Sequence, residues 1–433
     1  MHVPLTLRTP LTIASVAGLV LAAPASYGSP TVHDPATASA PNMVVQWNDI
    51  ATQTIVTENL QPPAVASLYL SFASVAVYDA VVTIRGGYRP YALAQRPAGT
   101  EHASVPAAAA TAAYTVLKQY FPASAAHLDA DYQASLAEVA DGSSEDQGVV
   151  VGKAAAQALI ALRAGDGRDN LNGPQLNPTP APGVWRPTPP ANLPMLVPGL
   201  GFVRPMVLTS PTQLSLPGPS PLGSAAYARD FNEVKRMGSV DSAARTPAQT
   251  QTALFFSDNP LVQYQAGMRG RAAEHAMGSV ATARMFALVD TGTADAMISC
   301  WRAKYDYAFW RPITAIALAD TDGNAATTAD PGWVPLSTTP PYPEYTSGHA
   351  CLTGSVTRGL SILFGADHID LTVSSAVTGT TRHYQTAEAL NRQTKDARIW
   401  LGLHFRTAMN DGNHLGQRAA AYVAAHAFAR RSG

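Results

Sequence analysis

The stretch that decides the fold of this chain is residues 346–364, which read TSGHACLTGSVTRGLSILF. Ser347 is a preferred N-cap residue, so the pattern predicts a helix that begins here and runs to Phe364. A helix N-terminus offers free backbone N–H groups and a partial positive charge, which favour a bound oxyanion. Gly348 would let an anion approach the backbone closely, and His349 could serve as a general acid or base. A plain capped helix with a surface histidine is the alternative.

A charged segment precedes this helix at residues 304–312, which read KYDYAFWRP. Lys304 and Arg311 are seven residues apart, about two helical turns, and would share one face of an unbroken helix. Both side chains are long enough to converge on one anion. Pro312 disfavours helical backbone before it, which places Arg311 near a helix end. The alternative is a solvated basic edge.

A third segment follows at residues 398–404, which read RIWLGLH. Six residues place Arg398 and His404 about 120° apart on a regular helix, so their spacing alone does not bring them to one face. They converge only if the arginine reaches around the helix or if the helix is distorted, for which Gly402 is the candidate position. The alternative for His404 is a satisfied core histidine.

Helical periodicity dominates the rest of the chain, and few alternating β-branched runs appear. The predicted fold class is therefore all-α, a multi-helix bundle. Residues 171–222 hold 14 of the 34 prolines. Because Trp185, Met195 and Met206 are too apolar to remain in water, this segment is predicted to be a long ordered loop packed over helices. The helices are predicted over residues 44–60, 64–78, 104–121, 124–139, 147–164, 224–237, 246–256, 263–289, 294–310, 347–364, 386–408 and 415–429.

Composition excludes several classes of protein. Apolar residues make up 46% of the chain and charged residues 14%, with a formal net charge of −1. A dedicated nucleic-acid binder needs a basic footprint, and a disordered chain has fewer apolar residues, so neither is expected. Two cysteines exclude a disulfide framework and a Cys-rich metal site.

The N-terminus has the pattern of a secretory signal. Arg8 is followed by an apolar run of 13 residues and then by the small residues of segment 23–25. The run is short for a membrane span, and an uncleaved anchor is the alternative. We therefore expect a protein that works outside the cytoplasm, with no membrane segment in its mature form. The predicted organisation is a signal peptide at 1–28 and one helical domain at 29–433, with N-terminal helices at 42–167, the proline-rich loop at 168–222 and C-terminal helices at 223–431.

The three charged segments together form a recognisable set. Lys-x6-Arg-Pro, Ser-Gly-His and Arg-x5-His occur in this order, with 33 residues between positions 312 and 346 and 48 between positions 349 and 398. This arrangement resembles the superfamily of vanadium-dependent haloperoxidases and type 2 phosphatidic acid phosphatases. Trp301 and the stretch 233–250 are similar to its secreted bacterial haloperoxidase-like branch.

The resemblance implies a helical bundle with a pocket for vanadate, in which phosphate or sulfate can also bind. Lys304, Arg311 and Arg398 would neutralise the oxygens of the anion, and Ser347 and the Gly348 N–H would add hydrogen bonds. A buried multivalent anion without matched cations would be very unfavourable, so three cations in one pocket are consistent with this role.

Two imidazoles and two aromatic rings complete the implied pocket. His404 would approach the central atom as a vanadium ligand or as a nucleophile, and His349 would act from the opposite side as the acid–base group. Trp301 and Tyr342 are candidates for lining the halide approach, with structural packing as the alternative. Tyr342 stands where chloroperoxidases of the superfamily have phenylalanine and bromoperoxidases have histidine, so the halide preference stays open.

The resemblance implies two activities for one pocket. In a haloperoxidase, halide and an organic acceptor would be oxidised with hydrogen peroxide at bound vanadate, with Lys304 polarising the peroxide and His349 managing protons. In a secreted acid phosphatase, His404 would attack phosphorus and form a phosphohistidine. A non-catalytic oxyanion-binding protein is a third hypothesis, from a different class.

Three departures from the superfamily pattern bear on this choice. Thr346 replaces the usual proline before Ser-Gly-His. Soluble phosphatases of the superfamily place an aspartate four residues after the apical histidine, where this chain has Ala408; Asp411 is the candidate substitute. The missing carboxylate favours the haloperoxidase. Cys300 and Cys351 adjoin the first two motifs and would be either a disulfide or two buried free thiols.

Overall fold

Helices form nearly all of the regular structure in the computed structural model, which describes residues 42–431. Thirteen α-helices and one antiparallel two-stranded hairpin occupy this described part of the chain. The predicted all-α fold class is therefore confirmed. The segment with the pattern of a signal sequence, residues 1–28, lies outside the described residues.

The N-terminal half is built around one buried apolar helix, α2, which packs against α3 and α5. Its length and composition would suffice for a membrane crossing, but 94% of its most apolar stretch is buried inside the protein. It is therefore the core helix that the apolar pattern at residues 64–78 predicts. The helices of this half are α1 Met43–Thr52, which continues into the π-helical turn Gln53–Glu58, α2 Pro63–Arg85, α3 Val105–Tyr120, α4 Ala125–Ala137 and α5 Ser143–Leu162.

The C-terminal half is organised around the long helix α9, which packs against α2, α11 and α13. The strands β1 and β2 pair in antiparallel register from Leu371 opposite Tyr384 to Ser375 opposite Thr380. The elements of this half are α6 Ala225–Gly238, α7 Pro247–Phe255, α8 Pro260–Glu274, α9 Ser279–Tyr307, α10 Pro312–Ala317, α11 Gly348–Phe364, β1 Leu371–Ser375, β2 Thr380–Tyr384, α12 Ala387–Trp400 and α13 Arg406–His426.

The proline-rich loop between the two halves is ordered and fastened to α9. Trp185 and Met206 are buried in it, whereas Phe202 stays exposed. The backbone N–H of Trp185 donates to the carbonyl of Ala308, just beyond the end of α9, over 2.6 Å. On α9 itself, the carboxylate of Asp295 accepts the backbone N–H groups of residues 206–208. The loop therefore braces the helix that carries Lys304.

Several of the predicted helix boundaries are wrong. Segment 263–289 is two helices, because the backbone turns at Ala276, with φ of 45°, and Gly278 caps a new helix. That new helix runs on without interruption through segment 294–307, whereas segment 386–408 breaks after Trp400. The sequence patterns predict neither α10 nor the hairpin, because strands of five residues give too short a run for their alternation to be recognised.

Candidate oxyanion site

The N-terminus of α11 has the geometry that the Ser-Gly-His motif predicts. Ser347 is the N-cap residue, with extended backbone, and its hydroxyl accepts the N–H of Ala350 over 3.4 Å. Its own backbone N–H donates to the Ala408 carbonyl on α13 over 3.2 Å. Ser347 is fully buried. The start of α11 is therefore fixed against α13, and its free N–H groups lie inside the protein.

Lys304 and Arg311 do not lie on one continuous helical face as predicted. Helix α9 ends at Tyr307, Ala308 is left-handed, and Arg311 has the extended backbone of an N-cap before Pro312. The side chain of Lys304 is fully buried, and its Nζ donates to the carbonyls of Pro343, at 2.8 Å, of Glu344, at 3.1 Å, and of Thr346. Lys304 thus holds the loop before Ser347 and contributes its charge from behind that loop.

Arg311 is fully buried and joins the loop before Ser347 to the segment that carries His404. Its Nε donates to the carbonyl of Tyr342 over 2.7 Å, and its Nη1 donates to the carbonyl of Leu403 over 2.9 Å. Nη1 also lies 3.2 Å from Nε2 of His404. Nη2 is buried and has no hydrogen-bond partner within residues 42–431. One arm of the guanidinium therefore remains available for a bound acceptor.

A break in the helix brings Arg398 and His404 together, as the position of Gly402 suggests. Helix α12 ends at Trp400, and Gly402 turns the chain with a φ of +79°. A Cβ atom at Gly402 would lie only 2.6 Å from the carbonyl oxygen of Gly238 at the end of α6. Arg398 donates from Nη1 to the Phe256 carbonyl over 3.1 Å, and its buried Nε has no partner in the described chain.

A cavity of about 180 Å³ lies beside this cluster. Trp301, Tyr342, Gly348 and His349 belong to its wall, and the Nε2 atom of His349 is buried without a partner among the described residues. The deeper residues Lys304, Arg311, Ser347, Arg398 and His404 are not part of the cavity lining. The remaining lining is almost wholly apolar: Pro62, Pro63, Ala64, Leu196, Pro260, Met297, Pro340, Pro341 and Leu352.

The ring of Tyr342 separates the cavity from the buried cations. Its centroid lies 4.9 Å from Nζ of Lys304 and 4.8 Å from the guanidinium carbon of Arg311. The ring of Trp301 packs against it at 5.1 Å between centroids. Each cation therefore interacts with an aromatic face, a contact worth about 0.5–2 kcal/mol.

Burial and mutual repulsion set the charges of this cluster. Burial, with the neighbouring charge of Arg311, lowers the pKa of Lys304 to about 8. Burial also lowers the pKa of Arg398 to about 10, and the pKa of both His349 and His404 well below the ordinary value, with all three cations adding to that effect. At neutral pH the site therefore holds three positive charges and two neutral imidazoles.

Sequence reasoning missed one carboxylate of the site, Glu344. Its Oε1 lies 2.9 Å from Nδ1 of His404 and accepts the Phe405 N–H over 3.0 Å. Burial raises the pKa of Glu344 to about 8, against the lowering effect of Arg311. Asp411, the predicted partner of His404, instead accepts the hydroxyl of Tyr345 over 2.7 Å. The one available signal was position: Glu344 lies three residues before Ser347.

Cys300 and Cys351 are both buried free thiols, the second of the two predicted states. They lie close together, as the convergence of the two motifs requires, and each sulfur is 3.3 Å from the hydroxyl of Thr346. The two thiols and this hydroxyl pack behind the loop that Lys304 holds.

The sequence of this chain matches known proteins in the region that carries the site. Residues 284–433 match the family model described as the VCPO second helical-bundle domain. The vanadium chloroperoxidase of Curvularia inaequalis is 27% identical over 29% of this chain. The match spans about a quarter of that relative, 27% of its length.

Solved structures resemble nearly the whole chain. The crystal structure of the first bacterial vanadium-dependent iodoperoxidase has a TM-score of 0.76 at 24% identity, covering 91% of this chain and 98% of that one. The apo-type bacterial vanadium-dependent chloroperoxidase has a TM-score of 0.66 at 18% identity, covering 85% and 95%. The holo-type structure has a TM-score of 0.65 at 17% identity, covering 90% and 97%.

The fold is therefore that of the vanadium haloperoxidases. All of the charged motifs lie within residues 284–433, the segment that matches the model of the VCPO second helical-bundle domain. The resemblance inferred from Lys-x6-Arg-Pro, Ser-Gly-His and Arg-x5-His is thereby confirmed.

Proposed function

We propose that this chain is a vanadate-dependent haloperoxidase-like enzyme that oxidises halide with hydrogen peroxide. The observation that carries the proposal is a buried cluster of cations whose hydrogen bonds are incomplete. Lys304, Arg311 and Arg398 are all at most 3% exposed, yet Nη2 of Arg311 and Nε of Arg398 have no partner in the described chain. Buried charged donors are costly unless they are paired, so these groups favour an anionic ligand.

The residues present fit an oxyanion such as vanadate. Arg311 and Arg398 would donate to its oxygens, the Ser347 hydroxyl and the Gly348 N–H would add hydrogen bonds, and Lys304 would add charge from behind the loop. Nε2 of His404 would be the ligand to vanadium. When bound there, vanadate supplies a Lewis-acidic centre at which hydrogen peroxide is activated for two-electron oxidation of a halide.

The protein's own contribution is charge, orientation and proton transfer. The three cations lower the energy of negative charge that develops at the site, and they act strongly because the surroundings are dry. His349, neutral and with an unpaired Nε2 at the cavity wall, is suited to take or give a proton. The apolar cavity with Trp301 and Tyr342 would admit halide and a small organic acceptor.

A secreted acid phosphatase is the second candidate function, and one contact favours it. The argument for the haloperoxidase from the missing aspartate at position 408 loses its force, because Glu344 supplies a carboxylate to Nδ1 of His404. A histidine supported in this way could attack phosphorus through Nε2, while His349 protonates the leaving alcohol.

One experiment separates the candidates. Metal-free protein is loaded with vanadate or with phosphate and assayed for halide-dependent oxidation of a phenol dye by hydrogen peroxide, and for hydrolysis of a phosphomonoester. We expect dye oxidation only with vanadate, and a loss of about 1,000-fold or more in His404→Ala. Phosphomonoester turnover that vanadate inhibits would support the phosphatase instead. Tight phosphate binding with neither activity would leave an oxyanion-binding protein.

We also propose that the enzyme is exported. Support comes from the signal-like pattern of residues 1–28 alone. Fractionation of cells that express the full chain, with N-terminal sequencing of the product, should find a mature protein outside the cytoplasm that begins near residues 26–29. Retention of Met1 on a cytoplasmic product would contradict this.

A further inference from the structure

The two ring nitrogens of His404 have different neighbours. Nε2 lies 3.2 Å from Nη1 of Arg311, and Nδ1 lies 2.9 Å from Oε1 of Glu344. An arginine can only donate hydrogen bonds, so Nε2 must be the acceptor of this pair. The proton of the neutral ring therefore sits on Nδ1 and is donated to Glu344, which leaves a lone pair on Nε2.

We infer that Glu344 is a positioning residue for His404, which fixes both its tautomer and its ring orientation so that Nε2 presents its lone pair beside Arg311, where the anion is proposed to bind. This inference rests on the proposed oxyanion site. The arrangement is that of a ligating histidine whose second nitrogen donates to a carboxylate, which sets the ring and raises its basicity. Here the carboxylate comes from the loop before Ser347 rather than from the helix after His404.

The carboxylate is itself held rigidly. Glu344 is 1% exposed, its backbone N–H donates to the Phe309 carbonyl over 2.9 Å, and its own carbonyl accepts Nζ of Lys304 over 3.1 Å. The backbone of Glu344 is thus fixed on both sides of its Cα atom, and its side chain is held by burial and by the Phe405 N–H that Oε1 accepts. This side chain can therefore select one orientation of the His404 ring.

One oxygen of Glu344 serves two successive residues. Oε1 accepts the Nδ1 proton of His404 and, over 3.0 Å, the backbone N–H of Phe405, the N-cap residue of α13. The ring of His404 is thus oriented relative to the start of α13. Because Glu344 and Ser347 lie on the same loop, the group that orients His404 and the N-cap of α11 are placed as a unit.

Asp411 provides the matched control. It is half-buried, lies seven residues after His404, and accepts the Tyr345 hydroxyl over 2.7 Å. Its removal therefore deletes a nearby carboxylate and a hydrogen bond without touching His404.

The test compares Glu344→Ala, Glu344→Gln and Asp411→Asn with the wild-type chain, after thermal unfolding has identified the variants that fold. The tautomer of His404 is read from ¹⁵N chemical shifts of its ring, assigned with His404→Ala. Affinity for vanadate, to which Nε2 of His404 would be a ligand, is measured by calorimetry. We expect an Nδ1–H tautomer in wild type and Asp411→Asn, and mixed tautomers with about 10–100-fold weaker vanadate binding in Glu344→Ala.

Glu344→Gln keeps an oxygen that can accept both N–H groups, so it should recover the wild-type tautomer and most of the affinity; if Glu344→Ala does not fold, a wild-type tautomer in Glu344→Gln still supports the role. Two results would overturn the inference. The first is wild-type affinity in every folded Glu344 variant, together with an unchanged His404 tautomer in Glu344→Ala or mixed tautomers in Glu344→Gln. The second is a loss of affinity in Asp411→Asn as large as the loss in Glu344→Ala. Neither readout needs halide oxidation, so failure of the haloperoxidase assay would leave this result standing.

Discussion

Buried charge is used in opposite ways in two regions of this molecule. In the framework, Asp79 on α2 accepts the N–H groups of residues 91–93 at 2.5–2.8 Å, and Asp295 on α9 accepts those of residues 206–208 at 2.5–2.9 Å. Each carboxylate thus has three donors of its own. In the oxyanion site, Arg311 and Arg398 keep buried N–H groups without partners in the described chain.

This difference distinguishes the carboxylates that stabilise the fold from the cations that are available to bind a ligand. Burial raises the pKa of Asp79 and of Asp295 to about 6, so both are ionised at neutral pH and their backbone donors are satisfied by full negative charges. The cations of the site lower each other's pKa, and Glu344 beside them, whose pKa is raised to about 8, is mostly protonated at neutral pH. The complete pairing of Asp79 and Asp295 is consistent with an architectural role, and the open donors of Arg311 and Arg398, which belong to one buried cluster, are consistent with binding.

The largest expected effect is at Arg311. Arg311→Ala removes a buried donor aimed at the anion and should weaken phosphate or vanadate binding by about 2–5 kcal/mol, whereas Arg311→Lys keeps the charge and should lose less. Calorimetric titration measures both. The variant relieves repulsion with Lys304 but leaves the carbonyls of Tyr342 and Leu403 without their donor, so its unfolding temperature without anion should also fall. A large loss of stability with unchanged affinity would mean that Arg311 is an architectural charge like Asp295.

Asp295 should show the reverse behaviour. Asp295→Ala leaves three buried backbone N–H groups without an acceptor, at about 1–3 kcal/mol for each group that water cannot reach. We expect the urea midpoint of unfolding to fall markedly, while the folded protein binds phosphate within about threefold of wild type. Asp295→Asn, which keeps one acceptor oxygen, should lie between. A tenfold loss of affinity in folded Asp295→Ala would break the separation between the two regions.

The smallest expected effect is a pH dependence of anion binding. The pKa of Lys304 is lowered to about 8, so the free site loses this charge as pH rises through 8, and binding must then restore the proton. Sulfate affinity, measured because sulfate keeps a constant charge, should fall as the pH rises from 7 to 9, by up to about tenfold per pH unit where Lys304 loses its proton.

Lys304→Met is the control for this profile. It should bind more weakly but with a shallower slope above pH 8, where Glu344, with a pKa of about 8, still adds negative charge. An affinity that stays level or rises from pH 7 to 9 in the wild-type protein would contradict the role given to Lys304.

Local signals predicted the parts of the site that depend on local chemistry. Ser347 caps α11 because its hydroxyl meets a backbone N–H three residues on, and such a contact is visible in the sequence. Gly402 was identifiable as the point where the helix breaks, because glycine readily adopts the left-handed backbone that interrupts a helix. The helical fold followed from apolar periodicity, which survives errors of several residues at the helix ends.

Features set by packing between distant segments were not predictable. Lys304 lies on α9, which ends at Tyr307, and Arg311 lies beyond that end before α10, so the two residues do not share one helix. The partner of His404 is Glu344, 60 residues before it, rather than the nearby Asp411. Spacing along one helix favoured Asp411, but the start of α13 points its carboxylate toward Tyr345.

The close approach of Gly238 and Gly402 has a consequence for mutational surveys of this chain. A methyl group at Gly238 would lie 2.5 Å from the Cα atom of Gly402, and one at Gly402 would lie 2.6 Å from the Gly238 carbonyl oxygen. Any larger residue at either place would push the turn that carries His404 out of register. Such variants would lose activity although neither glycine is placed in contact with the anion. Substitutions that abolish activity therefore identify residues that shape this pocket as well as residues that act in its chemistry.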